Sequence, residues 1–196
     1  MRTSAALSLL LAAAGTQVAA QTSVSRGNAT IVKGNPEGVV YEAVFPDTPF
    51  FKAAYPDGGN IKGSIRASTP VGGEGVVFTI NWTNLPKAGG PFMYHLHVAP
   101  VPENGNCTAT LAHLDPFERG EDPVCDKEHP ETCQTGDLSG KIGDITGNQS
   151  EFSTTYKDLY SANLKGLGSF FGNRSIVFHY ANKTRVSCAN FTLVAG

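Results

Sequence analysis

No stretch of this 196-residue sequence is apolar for long enough to cross a bilayer as a helix. The longest apolar run, Ala5 to about Ala14, follows Arg2 and gives way to the small residues Val18, Ala19 and Ala20. One positive charge, a short apolar core and small residues before a polar segment define a secretory signal peptide, with cleavage expected after Ala20. The expected organisation is a signal peptide at 1–20 and one soluble domain at 21–196. Charge is also scarce, with 15 Lys and Arg against 17 Asp and Glu for a net of −2. That balance excludes the basic surface a nucleic-acid binder needs, and no run of like charge is long enough to form a tail. Internal repeats and low-complexity segments are missing. Cys-x-x-Cys pairs are missing too, which removes the usual support for a cysteine-ligated zinc.

Helical periodicity is as rare as charge. Instead, 22 Gly and 12 Pro separate seven strand-like runs, at 39–45, 61–68, 75–83, 91–99, 151–156, 175–181 and 188–194. Short β-prone runs broken by turn residues predict an antiparallel sandwich or barrel. In the third run Val77, Thr79 and Asn81 alternate with Phe78, Ile80 and Trp82, the pattern of a strand with one buried face. Residues 100 to 145 show no clear strand. A connection of that length inside a compact domain is usually functional, and two cysteines within it point to an ordered loop.

The four cysteines, Cys107, Cys125, Cys133 and Cys188, read as two disulfides in an oxidising compartment, with three pairings possible. Seven Asn-x-Ser/Thr sequons, at Asn28, Asn81, Asn106, Asn148, Asn173, Asn182 and Asn190, suggest a glycoprotein of the secretory pathway. No Ser-rich stalk and no apolar tail for a glycolipid anchor follow the last run. A secreted protein is expected, with the cell surface or wall as the alternative location. A monomer is the default.

Five histidines remain. His95 and His97, in the run Tyr94-His95-Leu96-His97-Val98, are two apart and so share one strand face. Side by side they are either exposed strand residues or the start of a metal site. His113 lies in the long connection and His179 near the end of the sixth run. Four neutral imidazoles would suit copper. His129, between charges and a proline, reads as solvent-exposed.

Five pieces then occur in a fixed order: His95-Leu96-His97-Val98, Cys107 six residues before His113, Gly136-Asp137-Leu138, Arg174-Ser175 through His179, and Arg185 three residues before Cys188. Together, over about residues 60 to 194, they resemble the copper/zinc superoxide dismutases. The resemblance implies an eight-stranded Greek-key β-barrel with a long disulfide-stapled loop. It implies copper on His95, His97, His113 and His179, His113 as proton carrier, and Arg185 holding the superoxide anion. Arg174 is taken as structural. The expected disulfides are Cys107–Cys188 and Cys125–Cys133.

Two departures narrow the likeness. In the family, zinc is held by the bridging histidine, two further loop histidines and the aspartate of Gly-Asp; here Gln134 stands three residues before Asp137. Only five residues separate His179 from Arg185, where the zinc-containing enzymes carry a long charged loop. Both features resemble the copper-only superoxide dismutases, notably the fungal cell-surface group, some of which carry a glutamate where Gln134 stands. Zinc is therefore not expected, and Gln134 and Asp137 are expected to hydrogen-bond around the copper ligands. The alternative is a secreted copper-binding or copper-delivery protein on the same fold, without turnover.

Overall fold

The structure, a computed structural model, describes residues 27–196, and the expected signal peptide lies outside them. Eight strands are present among the described residues: β1 (Val40–Val44), β2 (Lys62–Ser68), β3 (Val76–Thr83), β4 (Met93–His97), β5 (Glu151–Asp158), β6 (Ser175–His179), β7 (Arg185–Asn190) and β8 (Thr192–Ala195). They form two antiparallel sheets, one of five strands in the order β5-β3-β2-β1-β8 and one of three in the order β4-β6-β7.

The alternation in β3 has the physical consequence expected of it. Val76, Phe78, Ile80 and Trp82 are buried, while Asn81 and Thr83 are exposed. The core joins the inner faces of both sheets through Trp82, Tyr94, Phe78, Phe92, Phe171 and Phe178, all fully buried. Trp82 meets Tyr94 edge-on at 5.4 Å between ring centroids, a favoured aromatic geometry. Burial of each of these phenylalanines contributes roughly 1.5–3 kcal/mol.

The seventh strand-like run, at 188–194, belongs to two strands in different sheets. Phe191 separates β7 from β8; its ring is buried in the core against Phe171, 5.0 Å away between centroids, and the chain turns there to pair β8 with β1. Periodicity along the chain does not show which sheet a strand joins.

The long connection between β4 and β5 is ordered against β4. Leu114 N–H donates to Leu96 O at 2.8 Å, Gly136 N–H to Leu114 O at 2.7 Å, and Leu96 N–H to Gly136 O at 2.8 Å. Three backbones therefore meet at Gly136, where a Cβ would lie 2.3 Å from Leu96 O and 2.8 Å from Leu114 N. Only glycine allows that approach. The connection also contains a short helix, α1 (Leu138–Ile142), which the sequence reading did not anticipate. Asp137 caps it by accepting from Gly140 N–H at 2.8 Å. The disulfide Cys107–Cys188 ties the connection to β7, and Cys125–Cys133 closes a short loop within it.

Candidate metal centre

His95 and His97 project from β4 toward the long connection, not toward solvent, and are only 5% and 1% exposed. The β4–β6 register sets Met93 opposite His179 and His95 opposite Val177, so His95 and His179 are diagonal neighbours. His113 pairs across from His97 as an isolated bridge. Each of the four rings offers one nitrogen, and these atoms all lie within 4.8 Å of one another. His129, in contrast, is exposed and sits 3.6 Å from Glu131.

The hydrogen bonds decide which nitrogen each ring presents. His97 Nδ1 donates to Leu111 O at 2.9 Å and His179 Nδ1 to Lys183 O at 3.2 Å, because a carbonyl can only accept. His113 Nδ1 lies 2.7 Å from Gln134 Oε1 and donates to it. A neutral ring carries one hydrogen, so all three leave a bare Nε2 lone pair. His97 Nε2 and His179 Nε2 face each other at 3.3 Å with no hydrogen between them. His95 is turned the other way. Its Nε2 is 3.3 Å from Ser139 Oγ and 3.4 Å from Asp137 Oδ1, whereas its Nδ1 is buried and without a hydrogen-bond partner.

A buried orphan nitrogen and opposed lone pairs are unfavourable by themselves and are satisfied by a cation. The ring charge agrees. Burial, reinforced by His113 and His179, pushes His97 down to about 2. Burial likewise lowers His179 to about 4 and holds His95 well below the ordinary imidazole range. These three rings are neutral ligands at neutral pH. Four imidazoles, one through Nδ1 and three through Nε2, fit copper.

The cluster opens into a cavity of about 490 Å³ lined by His95, His113, His179, Gln134, Asp137 and Arg185, among others. Arg185 Nη1 donates to Cys107 O at 2.5 Å and Thr110 Oγ1 at 3.0 Å, and its Nη2 donates to Leu111 O at 2.5 Å. Of its five hydrogens, these contacts leave Nε–H and one Nη2–H uncommitted. At the mouth, Lys183 Nζ pairs with Glu121 at 2.6 Å, and both residues line the cavity. Arg174 donates to Phe170 O at 2.7 Å and Val98 O at 2.5 Å, away from the histidines.

Several contributors were invisible in the sequence. Leu111 and Lys183 orient His97 and His179 through backbone carbonyls, which any residue type supplies. Ser139 reaches His95 only because α1 forms, and the short Asp137-to-Gly140 cap was the one local signal for it. Of the sequons, Asn106 is half-buried and the other six asparagines are exposed. Asn190 has both amide atoms bonded to the Val101 backbone.

No family model matches the chain. An antiparallel two-sheet protein whose long connection gathers four imidazoles at metal-site distances is the class defined so far. Among curated proteins, a cell surface Cu-only superoxide dismutase of Arthroderma benhamiae is 40% identical over 95% of this chain and 54% of its own length. A cell surface Cu-only superoxide dismutase 5 of Candida albicans is 38% identical over 69% of this chain and 56% of its own length. The chain thus spans about half the length of the curated relatives it matches. Among solved structures, Candida albicans superoxide dismutase 5 in its Cu(II) form superposes with a TM-score of 0.66 at 32% identity, over 80% of this chain and 93% of that one. The chain belongs to the superoxide dismutase family, in the branch of the cell-surface Cu-only enzymes.

Proposed function

We propose that this chain is an extracellular superoxide dismutase that works at one copper ion without zinc. The observation that carries the reading is the convergence of four imidazoles, His95 through Nδ1 and His97, His113 and His179 through Nε2, on a cavity edged by Arg185. A zinc site would need at least three protein ligands, and Gln134 supplies a neutral amide while Asp137 is engaged by Gly140 N–H and His95. All four curated relatives are called cell-surface superoxide dismutases; two are called Cu-only, which supports the reading, and two are called Cu-Zn. A secreted location, at the cell surface, follows for this chain.

Copper bound there supplies a one-electron couple, which oxidises one superoxide to dioxygen and reduces the next to hydrogen peroxide. The chain's own residues do the rest. Arg185, charged at any working pH, draws the anion in with its uncommitted N–H groups. His113 is the least enclosed of the four rings and faces the cavity; its Nε2, bare as a ligand, would take up the proton that passes to peroxide only when it is off the metal. Gln134 keeps that ring in place from the far side. We read the two sheets as a closed Greek-key β-barrel of eight strands and the protein as a monomer. Support for closure comes from β7 and β8, edge strands of different sheets that are joined directly through Phe191, so the chain passes from one sheet edge to the other.

The test is the substitution His179→Ala, with copper content and superoxide turnover measured together. Loss of both supports the ligand set. Full copper content with full activity overturns it. A native protein that binds copper tightly and turns over no superoxide would establish the copper-delivery alternative.

A further inference from the structure

Two of the three rings that present Nε2 are held by backbone carbonyls, which can only accept. The third, His113, is held by a side-chain amide that has an acceptor on one branch and a donor on the other. Turned by half a revolution, Gln134 would offer its NH2 to His113 Nδ1. That nitrogen would then have to accept, and the ring's hydrogen would move to Nε2, the atom that faces the other histidines. A glutamate at this position could not make that error. With a glutamine, something must choose the orientation.

Asp115 makes the choice. Gln134 Nε2 donates to Asp115 Oδ2 at 3.1 Å, while Oε1 of the same amide faces His113 Nδ1 at 2.7 Å. The carboxylate also accepts from Arg119 N–H at 3.0 Å and Gly120 N–H at 2.8 Å. All three partners are N–H donors, so the carboxyl oxygens of Asp115 serve as acceptors throughout. Gln134 is buried, so the amide has no solvent to compensate a wrong turn. A flipped amide would set its oxygen against the carboxylate and its NH2 against a ring N–H, two repulsive contacts in place of two hydrogen bonds.

We propose that Asp115 is a positioning residue that fixes the tautomer of His113 through Gln134, so that Nε2 stays bare for the metal. The inference rests on the proposed copper site only in that it gives the tautomer its purpose. Residues that orient a ligand in this way typically change metal affinity 10–100-fold when lost.

The experiment reads the ring directly. In copper-free, isotope-labelled protein at neutral pH, the ¹⁵N shifts of the His113 ring should report hydrogen on Nδ1. In Asp115→Asn the partner of Gln134 can itself present either branch, so the Nε2–H tautomer should become populated and copper affinity should fall about tenfold by chelator competition. The double substitution Asp115→Asn with Gln134→Glu should restore the Nδ1–H tautomer and the affinity, because a carboxylate at 134 needs no second group to orient it. That rescue separates positioning from a general loss of loop structure. Hydrogen on Nε2 in the native protein, an unchanged tautomer in Asp115→Asn, or failure of the double variant to recover would each overturn the proposal. Neither readout depends on superoxide turnover.

Discussion

Replacing Arg185 by alanine should lower the second-order rate with superoxide about tenfold while copper is retained. The guanidinium has two jobs in the structure. It closes the turn at residues 107–111 by donating to Cys107 O and Leu111 O at 2.5 Å each and to Thr110 Oγ1 at 3.0 Å. It also lines the cavity, with Nε–H and one Nη2–H not taken up by these contacts. A hydrogen bond to a charged partner contributes about 1.5–3 kcal/mol. This guanidinium is half-buried, which puts its contribution near the lower end, and about 1.4 kcal/mol is a factor of ten in rate. Copper should stay because His97 keeps its own bond to Leu111 O and the turn keeps the Cys107–Cys188 bond. Arg185→Lys should fall between native and alanine, since it keeps the charge but cannot bridge the two carbonyls. Pulse radiolysis gives the rates, atomic absorption the copper, and azide titration the anion affinity. A rate within twofold of native for Arg185→Ala, or parallel loss of copper and activity, would refute this division of labour.

The copper-free protein should lose stability as pH falls from 7 toward 5. His97 and His179 are held at about 2 and about 4 in the fold, whereas in the unfolded chain they take up protons near 6.5. Stability is therefore complete above that value and declines below it, by about 1.4 kcal/mol per pH unit for each proton the fold refuses. Urea midpoints at several pH values, compared with His179→Gln, measure it; a flat profile would contradict the neutral cluster. Gly136→Ala should destabilise by about 3 kcal/mol, since its Cβ would collide with backbone from two segments, and thermal unfolding with copper analysis would show the loss. Lys183→Gln should change stability by less than about 1 kcal/mol, as the Glu121 pair is exposed. It should nevertheless slow superoxide capture severalfold at low salt, because Glu121 then faces the cavity without its partner. The difference should vanish near 1 M salt, where screening acts over about 3 Å.

The strands were legible because alternation and turn residues are local properties. Val76, Phe78, Ile80 and Trp82 against Asn81 and Thr83 is a pattern any window of β3 displays. The split at Phe191 was not legible, because a buried aromatic at a strand break looks like one inside a strand. The i, i+2 spacing of His95 and His97 put both on one face, but not which face is covered; that depends on a connection of some fifty residues folding back over β4. The spacing left exposed strand residues as a live possibility, and burial removes it. Ring orientation was beyond sequence altogether. The acceptors that set it are carbonyls of Leu111 and Lys183, whose side chains carry no hint of the role. Nothing in the sequence separates Asp115 from other loop aspartates, and only its placement between Gln134 and two backbone N–H groups gives it meaning.

The most direct measurement is superoxide turnover by protein stripped of metals and reloaded with copper alone, followed on the same sample by addition of zinc. The expected result is one copper per chain, rapid dismutation with copper only, and no gain from zinc. Turnover that is absent with copper and appears only with zinc would contradict it.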